Sequence, residues 1–436
     1  MRVTCALLLA VSIWLWHPLT AATSEVALRV VGRVNATPWI AADNDFVAVA
    51  WGAKPASGAS DVFVAISRDA GTTFGTPVQV NTRAGDARLG GEMPPRVALT
   101  RPTTSGDPQV VVLWTAKADG HTEIRTARSR DGGRTFAAGI PLQSPNAAGD
   151  RGWPSLTVDA DGVAHVMWLD HRGLAETPSP HQHAGHEAAA APDTPRDGVA
   201  MAQKSGLYYA TVGTAASAER ALATGVCYCC KTAVAVGTPG TVFAAWRHVY
   251  AGNIRDIAFT QSRDGGETFS EPVRVSEDHW QLDGCPDDGP AMVVDKANIV
   301  HMVWPTVIGG PNPEGGIFYT STRDGRTFAP RQRVATLGSP KASHPQIAID
   351  GAGQIFVAWD EVKDGVRTAV VRTLSMAVNG EATFGEPRRL GTSAPSTYPV
   401  LAATARGVLV AWTAGAVDAS TIAVTRVEGL PGRTPR

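Results

Sequence analysis

The chain has 436 residues, 44% of them hydrophobic, with 39 Lys and Arg against 40 Asp and Glu, so it can bury a large core and carries almost no net charge. No long basic block interrupts that balance, which argues against a nucleic-acid partner. Beyond the first segment no stretch of about 18 uncharged apolar residues occurs, so no membrane span is expected.

The first segment carries Arg2, an apolar run from Ala6 to Trp16, and then Leu19-Thr20-Ala21-Ala22. A basic, then apolar, then small-residue order reads as an export signal cut near Ala22. The expectation is therefore a 1–22 signal peptide and a single domain over 23–436 that is secreted or periplasmic.

From there one phrase recurs: an apolar strand, a Gly-bearing turn, and a second strand ending in Trp. Its copies close at Trp51, Trp114, Trp168, Trp246, Trp304, Trp359 and Trp412. Val- and Ile-rich runs broken by Asp-Gly or Pro-Gly are the pattern of antiparallel strands joined by tight turns. Several copies are followed by a second signature: "SRDAGTTF" from Ser67, "SRDGGRTF" from Ser129, "SRDGGETF" from Ser262 and "TRDGRTF" from Thr322. In each, the carboxylate of Asp69, Asp131, Asp264 or Asp324 can accept backbone N–H bonds, the glycine supplies a positive φ, and the Phe plugs the turn. A further short strand precedes each unit, as in "TPVQV" ending at Val80 and "EPVRV" ending at Val275.

These turns match the Asp-box, and on them the chain resembles the sialidase-like (BNR/Asp-box repeat) β-propeller superfamily. The resemblance implies an all-β propeller of four-stranded blades. Seven Trp-terminated units favour seven blades, with the six of sialidases as the alternative, and a strand around Val26 to Val34 is expected to close the ring.

In such a blade the Asp-box turns occupy one face. The loops between blades, and between second and third strands, occupy the other. That loop face collects Asp170, His171, His248, His279, Asp287, Asp288 and His344 as candidate binding residues, with Asp360 and Glu361 nearby. It also carries an Ala-, Pro- and His-rich insert at about 170–204, including His181, His183 and His186.

Resemblance to sialidases implies glycoside hydrolysis with a Tyr nucleophile and an Arg cluster that holds the substrate carboxylate. Tyr398 stands at the start of the last inner strand. Arg125, Arg255 and Arg367 open third strands, and Arg96 lies on an inner strand. The chain departs from the family at Pro399, after the tyrosine, and at "TPWIAAD" from Thr37, where an Arg-Ile-Pro motif is expected. A carbohydrate or other small ligand bound on the loop face, with hydrolysis as the activity the resemblance implies and no cofactor, is the leading expectation. A non-catalytic scaffold is a further reading.

The loop face also holds "GVCYCCKTAVAV" from Gly225. Cys5 leaves with the signal, and Cys227, Cys229, Cys230 and Cys285 remain for an oxidising compartment, where disulfides are favoured. Vicinal Cys229 and Cys230 are poorly spaced for a mutual bond. Cys285 is therefore expected to reach back to one of the three, closing a loop of more than fifty residues and contributing about 4 kcal/mol in the chain-entropy estimate. The other two are joined locally or act as a ligand pair. The rival reading is a copper or zinc centre built from Cys227, Cys229, Cys230, Cys285, His248 and His279. The CxCC and GCP pattern also resembles a subset of exported bacterial proteins grouped with sialidases.

Overall fold

The computed structural model describes residues 25–100, 106–142, 148–174, 198–213, 218–284, 286–334, 336–339, 341–377, 381–391 and 395–429. The expected signal peptide, Cys285 and the His-bearing part of the insert lie outside these residues. Among the described residues no helix is long and apolar enough to cross a membrane.

Seven antiparallel sheets follow one another along the chain. The first blade runs Arg33–Asp43, Phe46–Pro55, Asp61–Ser67 and Val78–Gln79 from the inside outwards, and the next five repeat that order. The outer strands are short because each adds only a few ladder bonds beyond a third strand that is already buried. In the seventh blade, Ser396–Ala403, Val408–Ala414 and Thr421–Val427 have, among the described residues, no outer strand from the same end of the chain. Val26–Leu28 supplies it, pairing Val26 with Val424 and Leu28 with Ile422. The closing segment is shorter than the sequence suggests, since from Arg33 onwards the chain pairs with Phe46–Pro55 inside the first blade.

The seven unit-ending tryptophans are fully buried. Each sits in a separate apolar cluster drawn from two adjacent blades: Trp51 among residues of blades seven and one, Trp114 between one and two, and so on round the ring to Trp412 between six and seven. A buried indole N–H needs an acceptor, and five have one: Asn35 for Trp51 (2.9 Å), Asp170 for Trp168 (3.3 Å), His248 for Trp246 (3.4 Å), Asp278 for Trp304 (2.8 Å) and Glu361 for Trp359 (2.6 Å).

The Asp-box turns take the geometry their residues predict. In the first, Asp69 accepts from the Ser67 hydroxyl at 2.7 Å and from the Thr73 backbone N–H at 2.8 Å, and Gly71 has φ +84°. Asp131, Asp264 and Asp324 repeat the pattern. Phe74, Phe136, Phe269 and Phe328 pack against the inter-blade clusters. All four carboxyls are held below the ordinary carboxylate range by these hydrogen bonds. They are structural, which leaves the opposite face for function.

Leu28 is the buried anchor of the closing strand. Leu28→Ala is expected to lower unfolding free energy by about 2–5 kcal/mol, read as a lower denaturant midpoint. An unchanged midpoint would mean that the ring does not depend on this strand.

Candidate functional site

Four inner strands enter the ring through the same distortion. At Thr37, Trp153, His344 and Tyr398 the backbone takes φ values of 55°, 52°, 56° and 53°, and each residue precedes a proline. The ladder slips at each of these points, between Ala36 and Trp39, Gly152 and Ser155, Ser343 and Gln346, and Thr397 and Val400. These are β-bulges, which re-aim side chains, and the left-handed backbone of bulky residues stores on the order of 1–3 kcal/mol each. All four lie on the loop face. The repeated Xaa-Pro at the start of the inner strands is the sequence signal for them.

Two of the four meet. The His344 and Tyr398 rings lie 4.2 Å apart between centroids. Asp360 ties them together: it accepts from His344 Nδ1 at 2.8 Å and from the Tyr398 backbone N–H at 2.7 Å, and it pairs with Arg367. Asp288 accepts the His344 backbone N–H at 2.9 Å. Burial alone would lower the proton affinity of His344, but the Asp360 charge and hydrogen bond, with Asp288 and Glu92 behind them, outweigh it and push the group up to about 9. His344 is a cation at neutral pH. Tyr398 goes upward, mainly by burial and then by the Asp360 and Glu92 charges, so its phenol stays protonated.

Tyr398 rests on Gly91 so closely that an added Cβ there would lie 2.2 Å from the phenolic oxygen. The next residue, Glu92, is 4% exposed. Its Oε1 lies 3.5 Å from the Lys231 ammonium, and its Oε2 has no hydrogen-bond partner among the described residues. Lys231 donates instead to the Pro345 carbonyl at 3.1 Å and stands 3.9 Å from Asp288. Burial pushes Glu92 up, the Lys231 charge only partly opposes it, and the carboxyl reaches about 7. Arg96 is buried beside it, donating to the Pro154 carbonyl at 2.7 Å with its guanidinium 3.7 Å above the Trp39 ring. Burial lowers this guanidinium to about 10.

A cavity of about 450 Å³ meets this group at Gly91 and Glu92, and Lys54, Arg88, Lys117, Trp153 and Asp287 also line it. Three cations against two carboxyls, one of them the proton-exchanging Glu92, together with an aromatic ring, suit a ring-shaped ligand with negative charge. Glu92 and Lys231 were absent from the sequence candidates. The available signal was position: Glu92 precedes the second inner strand and Lys231 the fourth, the places that Tyr398 and His344 occupy in blades seven and six.

The other candidates are held elsewhere. Arg125 pairs with Glu123 at 2.5 Å, Arg255 donates to Cys227 and the Leu282 carbonyl, and Arg367 serves Asp360. These three arginines do not share a ligand-facing cluster. Asp170 is buried between Arg151 (3.2 Å) and Arg172 (2.7 Å), and Glu361 accepts from Trp359 and two backbone N–H groups. His171 and His248 are both pushed down to about 4 by burial and are neutral. His279 is exposed.

Cys227, Cys229 and Cys230 form a buried group whose sulfurs lie within 4.8 Å of one another. Cys227 and Cys230 are free thiols and Cys229 is disulfide-bonded. Neither His248 nor His279 joins the group among the described residues. Two free thiols beside Arg255 supply half of the tetrahedral soft-ligand set that zinc takes. The sequence reading also passed over the spacing of Cys227 and Cys230, a CxxC nested within CYCC.

No protein-family model and no curated protein matches the chain. Solved structures do. An ulvan lyase, described as a new family of polysaccharide lyase, aligns with TM-score 0.56 at 10% identity over 93% of this chain and 96% of its own. A second polysaccharide lyase gives 0.52 at 12% identity, covering 90% of each chain. A microbial sialidase gives 0.49 at 14% identity, over 86% of this chain and 74% of its own. The chain is a seven-bladed β-propeller, and at such identities its likeness to these enzymes is one of fold.

The raised His344 has a sign that can be checked. Its contribution to stability is full below about pH 6.5 and is lost as pH rises through about 9. Wild type is expected to lose melting temperature across that window, and Asp360→Asn to flatten the loss while moving the His344 NMR titration downward. A His344 midpoint at or below 6.5 in wild type would contradict the arrangement.

Proposed function

We propose that the loop-face pocket binds an anionic glycan and cleaves it by proton transfer, with Glu92 and Tyr398 exchanging protons with the substrate. The observation that carries this reading is Glu92: buried, with one oxygen unpartnered, poised near neutrality, and placed at a cavity whose rim carries Lys54, Arg88 and Lys117. A general acid or base works best when its proton affinity matches the ambient pH. Tyr398, held protonated, suits a donor to the departing sugar oxygen. That same upward shift argues against a tyrosine nucleophile, which would need the opposite perturbation. His344 and Arg367, both fixed by Asp360, supply positive charge under the tyrosine and answer the charge that develops when a proton is removed beside a carboxylate. The lyases that share the fold are named for cutting polysaccharides, which supports a glycan as the substrate class. Export after removal of residues 1–22 belongs to the same reading, and N-terminal sequencing of the mature protein tests it.

The chain is expected to depolymerise a uronate-bearing or sulfated polysaccharide. Release of reducing ends together with ultraviolet absorbance of an unsaturated product would mark elimination; reducing ends alone would mark hydrolysis. Glu92→Gln and Tyr398→Phe are each expected to lower kcat about 10²–10⁴-fold. Lys54→Ala and Lys117→Ala should act mainly on KM. Absence of both turnover and binding across a panel of anionic glycans would overturn the proposal.

A further inference from the structure

The two free thiols have a chemistry that the glycan pocket does not use. Cys227 and Cys230 are buried, their sulfurs lie 3.3 Å apart, and the Cys230 thiol donates to Cys227. Arg255 donates from Nη1 to the same Cys227 sulfur at 3.1 Å, and its Nε is fixed by the Leu282 carbonyl at 3.0 Å. A sulfur that accepts from a buried guanidinium and from a second thiol is favoured as a thiolate, the form that ligates metals. The pair then holds one negative charge and one proton between two sulfurs.

The surroundings decide which cation can take the place of that proton. Arg255 and Arg247 are 0% and 1% exposed, and both charges act on the Cys227 sulfur. Arg247 gives its donors to the carbonyls of Asp288, Arg255 and Pro305. The sulfurs themselves sit in an apolar cluster with Val226, Trp246 and Val249. A monovalent ion between two thiolates leaves one net negative charge for the guanidiniums to face. A divalent ion would leave the sulfur pair neutral and strip the guanidiniums of that counter-charge, which is costly in a buried site.

The ligand count points the same way. Cys229, the third of the clustered cysteines, is disulfide-bonded and offers no thiolate, and no histidine or carboxylate joins the group among the described residues. Structural zinc and iron–sulfur centres take four ligands. Among thiolate-seeking ions that leaves copper(I), which is both soft and monovalent. Metal–sulfur bonds of about 2.3 Å let sulfurs up to about 4.6 Å apart share one ion, and the observed contact lies within that reach.

We propose that Cys227 and Cys230 form a binding site for one copper(I) ion, held between the two sulfurs with Arg255 as the counter-charge. On binding, the Cys230 S–H bond breaks and its electron pair goes to copper. Cys227 gives a lone pair, and one proton leaves to solvent. Copper stays monovalent and neither sulfur is oxidised, so the step needs no electron donor or acceptor.

The test titrates the full chain, prepared with two cysteines free and kept anaerobic, against copper(I) held by the coloured chelator bicinchoninate. The wild type is expected to take one equivalent from the chelator, to release one proton per ion, and to gain melting temperature as copper is added. Cys227→Ser and Cys230→Ser should each leave the chelator's colour unchanged and show no copper-dependent gain in melting temperature. Arg255→Gln, which keeps both sulfurs, should weaken uptake about 10–100-fold. Equimolar zinc(II) should not displace the copper. Absence of uptake by the wild type, uptake that persists in both serine variants, or displacement of copper(I) by equimolar zinc(II) would overturn the proposal. The wild-type titration needs no variant, so a serine variant that misfolds does not remove the test. Metal occupancy is read directly, independently of any activity on glycans.

Discussion

Everything on the loop face depends on the indole wedged between each pair of blades. A propeller blade meets the next mainly through side chains, with no ladder between sheets and only scattered backbone bonds such as Gly351 N–H to the Thr404 carbonyl at 2.8 Å, so the spacing of the ring is a packing problem. Each cluster solves it with one fully buried Trp, a side chain whose removal from a core typically costs about 3–5 kcal/mol. The site has no local frame. Glu92 comes from the entrance to blade two, Lys231 from blade four, Asp288 from blade five, His344 and Asp360 from blade six and Tyr398 from blade seven. Their separations are set by the wedges rather than by sequence neighbours, and a proton-transfer group needs that rigidity.

The electrostatics follow from sharing. Lys231 is one ammonium between two buried carboxylates, and its short hydrogen bond goes to neither of them but to the Pro345 carbonyl. Its charge therefore cannot fully offset the desolvation of Glu92, which keeps its proton near neutrality. Asp360 is in the reverse position, one carboxylate with His344, Arg367 and a backbone N–H all pointing at it, and it stays ionised despite being buried. Two acids a few side chains apart are thus shifted in opposite directions, Glu92 up and Asp360 down, by the number of donors each receives.

The architecture was legible because its signals are local. A Trp at each strand end, Asp-Gly turns and Ser-Arg-Asp boxes are set by neighbours within a few residues, so seven units could be counted before any pairing was known. The site was legible only by face. Tyr398, His344, Asp287 and Asp288 fall where strand order puts them, whereas Glu92 and Lys231 acquire their meaning from partners far away in the chain. Arg125 shows a local rule left unused: Glu123 is two residues away on the same strand, hence on the same side of the sheet, and the two pair. In CYCC the vicinal pair drew attention, while the chemically distinct pair, Cys227 and Cys230, is the one spaced for sulfur-to-sulfur contact.

The clasp of the ring has a consequence for biogenesis. Of the paired strands, Val26–Leu28 emerges from the ribosome before every blade, and its partner Thr421–Val427 emerges after the other six blades are made. Six blades can assemble as they emerge, but until Thr421–Val427 follows they form an open arc with raw apolar flanks at both ends and an orphan strand at the front. A chain that folds this way stays vulnerable until the last blade is made and becomes safe in one step. If it is carried across a membrane, threading it unfolded and closing it on the far side spares the cell that half-built arc.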